Sequence, residues 1–152
     1  MHSQVFYIKN NKMIIKFHFL KSVFLPERLK LKAHLLYLSK KEKTSIHKVD
    51  IIFCSDEYLL KINNDFLGHN YFTDIITFDL TPKGNLEKIA ELYISIDRIK
   101  HNAIEYKTTM KNELHRVVFH GVLHLCGFKD KKPQDIKEMR LKEDQYLKSY
   151  FK

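Results

Sequence analysis

No run of about 18 uncharged apolar residues occurs along the chain, which excludes a membrane-spanning helix from the sequence reading. Cysteine is scarce. Cys54 and Cys126 are the two present, both inside apolar segments, and they read most simply as buried free thiols rather than a disulfide scaffold. Internal repeats, low-complexity tracts and domain linkers are also missing, so the 152 residues are expected to form a single domain, 1–152. A chain of that length buries about two thirds of its unfolded surface. The first residues mix Lys9, Lys12 and Lys16 with apolar side chains and offer no small-residue cleavage site. No secretory signal is therefore expected, and the cytoplasm is the expected location. Acidic residues are in deficit, 18 against 27 lysines and arginines, and the resulting charge of +9 suits a polyanion, nucleic acid first.

What the chain does have is the run HGVLHLCGFKD, His120 to Asp130. At about 100° per residue, a spacing of four leaves His120 and His124 about 40° apart around a helix and about 6 Å apart along it. Both imidazoles can then reach one cation at about 2.0–2.1 Å without moving the backbone. Val117, Val118, Phe119, Val122, Leu123, Leu125 and Phe128 surround them, so this helix is expected to be buried. Buried imidazoles need partners, and a metal serves both at once. Gly127 suits the left-handed position that ends a helix, after which Asp130 can approach the same point from a loop. The reading is a three-ligand metal site, His120, His124 and Asp130, with room for water. Zinc peptidases of the HExxH type place a glutamate beside the first histidine. Here that position is Gly121, which disfavours ordinary zincin proteolysis and points to close packing or substrate access.

The remaining pattern predicts strands at Val5–Tyr7 and Met13–Phe19 about a turn at Lys9–Lys12, and a helix from Pro26 to about Lys40 carrying Leu29, Leu31, Leu35, Leu36 and Leu38. A buried strand follows over Lys48–Cys54, then a helix capped by Ser55 or Asp56 running to about Phe66, with Leu59, Leu60 and Ile62 inward. Gly68 to Phe72 reads as a loop. Strands at Ile75–Leu80 and Glu91–Ile96 form a hairpin across Pro82–Gly84. Helices are predicted from Asp97 to about Tyr106, from Met110 to Cys126, and as an amphipathic segment after Pro133. The fold class is α+β: a mixed sheet of about four strands with about five helices, and a buried, central, metal-bearing helix.

A second segment, INNDFLGHNYFTDIITF from Ile62 to Phe78, leads a polar loop into a buried strand. Together the two segments resemble the YbeY family of bacterial ribosomal RNA maturation factors. The family pattern H-G-x-L-H-L-x-G-[FY]-D-H is matched by His120, Gly121, Leu123, His124, Leu125, Gly127 and Phe128. Its N-x-x-[FY]-R-G…T-[DN]-x-[IVL]-[ST]-F segment is matched by Asn63, Phe66, Gly68, Thr73, Asp74, Thr77 and Phe78. Three positions depart: Asp130 stands where the family has its third histidine, Lys129 at the acidic position before it, and Leu67 where the family has an arginine implicated in function. A His₂-carboxylate set still binds Zn²⁺ in catalytic sites, and it suits Fe²⁺ as well.

The resemblance implies a zinc-dependent endoribonuclease that cuts single-stranded ribosomal RNA, acting in small-subunit rRNA processing and ribosome quality control. One Zn²⁺ per chain is expected, another divalent metal serving equally. Leucine cannot hold a phosphate, so Arg116, one helical turn before His120, and His69, in the loop beside Leu67, are the candidate catalytic cations. No general base is assignable from the sequence. Two rivals stay open: a non-enzymatic RNA-binding ribosome assembly factor with a structural metal, and a metal-dependent peptidase.

Overall fold

The computed structural model describes residues 12–152. The strand expected at Val5–Tyr7, and most of its turn, lie outside them. Four strands and five helices follow in the order β1 (Ile14–Phe19), α1 (Arg28–Lys41), β2 (Ile46–Cys54), α2 (Asp56–Leu67), β3 (Ile75–Asp79), β4 (Lys88–Ser95), α3 (Ile96–Glu105), α4 (Met110–Leu125) and α5 (Pro133–Tyr150). They form the expected α+β fold with a mixed sheet ordered β1-β2-β4-β3. β1, β2 and β4 run parallel, and β3 closes one edge antiparallel to β4 with Thr77 opposite Leu92.

The sheet is covered on both faces, which explains why the second half of β2, residues 51–54, is a continuous apolar run instead of an alternating one. Val49, Ile51 and Phe53 join the main core with α1, α4 and α5. Cys54 joins a smaller cluster with Leu59, Ile62 and Ile76, where α2 covers the other face. Both cysteines are free, Cys54 fully buried and Cys126 half-buried, and burial pushes the Cys54 thiol up to about 12. Among the described residues no helix is long and apolar enough to cross a membrane.

Several boundaries differ from the sequence reading. α1 begins at Arg28, because Glu27 takes a left-handed conformation at φ 53° and blocks the turn that Pro26 would open. Leu29 is exposed, whereas Leu31, Leu35 and Leu38 carry the buried stripe of α1. β4 starts at Lys88, three residues early, because Lys88 and Ile89 already pair with Ile46 and Lys48 of β2, and Ala90 with Asp79 of β3. α3 is capped by the Ser95 hydroxyl, which accepts from the Arg98 amide at 3.1 Å, and Asp97 sits in its first turn instead.

α4 lies against the sheet at β3 and β4 and also packs on α3 and α5, with Val117, Val118, Phe119, Val122 and Leu123 buried. Gly121 makes that approach possible. A Cβ there would stand 2.6 Å from Ile75 Cδ1 and 3.0 Å from Leu92 Cδ1. Close packing is thus the reason for glycine at the position where metallopeptidases keep a glutamate.

Candidate metal centre

The end of α4 positions the donor set. Gly127 adopts φ 96°, its N–H bonds the His124 carbonyl at 3.0 Å, and the Phe128 N–H bonds the Leu123 carbonyl at 3.1 Å. This pair of bonds is the Schellman reversal, and it satisfies carbonyls that the helix end would otherwise leave bare. The chain folds back and delivers Asp130 to the two histidines. His120 Nε2 and His124 Nε2 are 3.0 Å apart, and Asp130 Oδ2 lies 3.1 Å from the first and 3.2 Å from the second.

Three donors at these separations fit a small divalent cation. Bonds of about 2.0–2.2 Å near tetrahedral angles require donors about 3.3 Å apart, so the triangle needs to open by only a few tenths of an ångström. Two bare nitrogen lone pairs and a carboxylate oxygen in mutual contact are otherwise a poor arrangement, and a shared cation resolves it. The far nitrogens are fixed as metal-binding histidines require. His124 Nδ1–H donates to the Phe128 carbonyl at 2.9 Å, and His120 Nδ1 faces Glu143 Oε2 of α5 at 3.4 Å.

Glu143 is 3% exposed and leads to a buried charge cluster. Arg116 Nη1 donates to Glu143 Oε1 at 2.6 Å, and Arg116 Nε donates to both oxygens of Glu113 at 3.0 Å. Arg116 Nη2 also bonds Glu113 and lies 3.6 Å from Asp74 Oδ2. Burial alone would raise the Glu143 carboxyl; the hydrogen bond from His120 and the Arg116 charge outweigh it and hold the group below the usual carboxylate range. Asp74 shifts the other way: burial raises its carboxyl, only partly opposed by Arg116 and His120.

The donor triangle opens onto a cleft of about 500 Å³. His69 and Leu67 line it too, as do Asp74, Asp79 and Lys131. The structure therefore brings His120, His124, Asp130 and His69 to one cleft. It places Arg116 behind the triangle, with its guanidinium taken up by carboxylates. Glu143 escaped the sequence reading, although a signal existed. It is the charged member of the stripe Met139, Glu143, Tyr146, Leu147, Tyr150, which α5 buries.

A family model described as Endoribonuclease YbeY matches residues 24–151, from before α1 to the end of α5. The chain belongs to the YbeY family. Endoribonuclease YbeY of Cytophaga hutchinsonii is 52% identical over 124 residues, covering 81% of this chain and 85% of that protein. The Karelsulcia muelleri Endoribonuclease YbeY is 45% identical over 113 residues, covering 74% of this chain and 79% of its relative. The solution structure of TM1509 from Thermotoga maritima superposes with a TM-score of 0.61 at 27% identity, across 92% of this chain and 89% of the other. The YbeY match thus contains the whole donor set, the Arg116–Glu143 cluster and the loop that carries His69.

Proposed function

We propose that the chain is a metal-dependent endoribonuclease that hydrolyses phosphodiester bonds of single-stranded RNA, working as one domain in the cytoplasm on small-subunit ribosomal RNA. The observation that carries this reading is the triangle of His120, His124 and Asp130 at an open cleft in a YbeY-family fold. These residues would hold the ion, Zn²⁺ suiting two imidazoles and a carboxylate. When bound, the ion lowers the pKa of a water and stabilises charge on a phosphoryl oxygen.

The chain's own groups divide the remaining work. Three carboxylates line the cleft: Asp130 is assigned as a ligand, Asp79 is paired with Lys88 and Thr81, and Asp74 has Oδ2 near Asn102 at 3.3 Å and Arg116 at 3.6 Å. Burial raises the Asp74 carboxyl above its ordinary value and so makes it a stronger base, and we assign it the role of taking a proton from the attacking water. Arg116 is enclosed by Glu113, Glu143 and Asp74, so we assign it to holding Glu143, and through it His120, rather than to gripping phosphate. His69 keeps a free edge. With the Tyr71 hydroxyl donating to Nδ1 at 2.9 Å, Nε2–H is available to a phosphate oxygen. Lys131 adds a cation to the same cleft, and among the described residues it has no ion-pair partner.

Purified protein incubated with single-stranded RNA, with and without chelator, tests the reading, together with elemental analysis for one ion per chain. Cleavage that chelator and His120→Ala abolish is the expected result. RNA binding without cleavage in the metal-loaded protein would replace the nuclease reading by that of an assembly factor.

A further inference from the structure

The segment between α2 and β3 carries rings that neither the core nor the metal triangle uses. His69 and Tyr71 stack with centroids 5.1 Å apart and planes at 19°, and the Tyr71 hydroxyl is bonded to His69 Nδ1. Tyr71 is nonetheless 57% exposed, so burial does not account for its order. The backbone beneath does. Asn63, 2% exposed on α2, accepts the His69 amide at its carbonyl (3.1 Å) and donates from Nδ2 to the Tyr71 carbonyl (2.9 Å). Gly68 makes the intervening bend at φ 67°, where a side chain would strain the backbone. One buried asparagine therefore fixes both ring-bearing residues, and both line the cleft of the donor triangle.

We propose that the His69–Tyr71 pair is a stacking platform for an unpaired nucleobase of the RNA whose phosphodiester lies at the donor triangle. This rests on the endoribonuclease reading and adds the origin of its single-strand selectivity. A base face is the fitting occupant for three reasons. Rings held rigid lose little entropy when they bind a flat partner. A basic chain of net charge +9, with Lys131 in the same cleft, favours a polyanion over a neutral aromatic ligand. A base can meet the platform only when splayed out of a helix, which duplex RNA does not permit. Base–aromatic stacking tolerates every base, so recognition here is by strandedness and not by sequence.

The test uses the metal-loaded wild-type protein and short RNAs in which single positions near the cleavage point are made abasic. One abasic position is expected to raise KM about tenfold or more with kcat nearly unchanged, the range of a lost stacking contact. Tyr71→Ala is expected to raise KM similarly on intact RNA, to be insensitive to that abasic position, and to be rescued by Tyr71→Phe. A parallel titration under chelator reads binding without cleavage, through quenching of 2-aminopurine at the same position. Uniform KM across the abasic series, or an unaltered KM in folded Tyr71→Ala, would overturn the platform. Quenching without cleavage in the metal-loaded protein would keep the platform and remove the nuclease reading; neither binding nor cleavage would remove both.

Discussion

Glu143 is the residue whose replacement separates metal orientation from simple packing. Glu143→Gln keeps the shape and removes one charge from a cluster with Arg116 at 2.6 Å and His120 Nδ1 at 3.4 Å. Removing one partner of a buried ion pair usually costs about 3–5 kcal/mol. Arg116 keeps Glu113 and a neighbouring Asp74, so the low end applies and a loss of about 3 kcal/mol is expected. Urea unfolding of chelator-treated protein at pH 7 measures it. The sign of the pH dependence follows from the lowered carboxyl: its contribution is present above the ordinary carboxylate pKa and lost as pH falls through the folded value. The gap between wild type and variant should therefore narrow in acid. The amide keeps one acceptor oxygen, which Arg116 takes, so the acceptor facing His120 is replaced by a donor and metal binding should separately weaken about 10–100-fold, read by competition with a chromophoric chelator. Reduced stability with metal affinity unchanged within about threefold, against that 10–100-fold expectation, would show that Glu143 only packs, and the orienting role would fall.

Other measurements reach different parts of the structure. Gly121→Ala gains about 1 kcal/mol of helix propensity but forces Ile75 and the fully buried Leu92 apart, an overpacking cost of about 1–3 kcal/mol; urea unfolding should show a net loss. His115 is buried, its Nδ1–H bound to the Lys111 carbonyl at 2.7 Å with no partner for Nε2, and burial lowers its pKa as it does that of His34. The unfolded chain then binds more protons, so metal-free protein should lose stability as pH falls below about 6.5, and His115→Phe should flatten that slope. Asp74→Asn should retain fold and metal while kcat drops about 100-fold or more; near-normal kcat with full metal occupancy would refute its proton-accepting role.

The parts of the site that were legible in the sequence are those whose geometry is local. Helical spacing sets His120 against His124, and Gly127 sets the reversal that returns Asp130, so the convergence of these three donor side chains could be read within one short run. β3 and β4 were legible as a hairpin for the same reason. The parallel pairing of β2 with β4 was not, because Ile46 and its partner Lys88 lie 42 positions apart and are brought together by tertiary packing, not by any turn signal. Arg116 could be placed on the face of His120 from spacing alone, yet its occupants could not. Glu143 arrives from another helix, and only a charge on an otherwise apolar stripe marked it. Leu29 shows the converse, an apolar side chain at a helix start that the fold leaves in water.

The compactness of the donor set has a consequence for how the ion is acquired. All three donors of the triangle fall within the eleven residues from His120 to Asp130, so gathering them closes a very short loop, and the entropy of closure is small. An ion held by the proposed triangle would therefore need only α4 and the Gly127 bend to be formed, and no strand pairing, for its donors to meet. Any affinity of that short segment for the ion in the unfolded chain would reduce the stabilisation that loading confers on the finished protein.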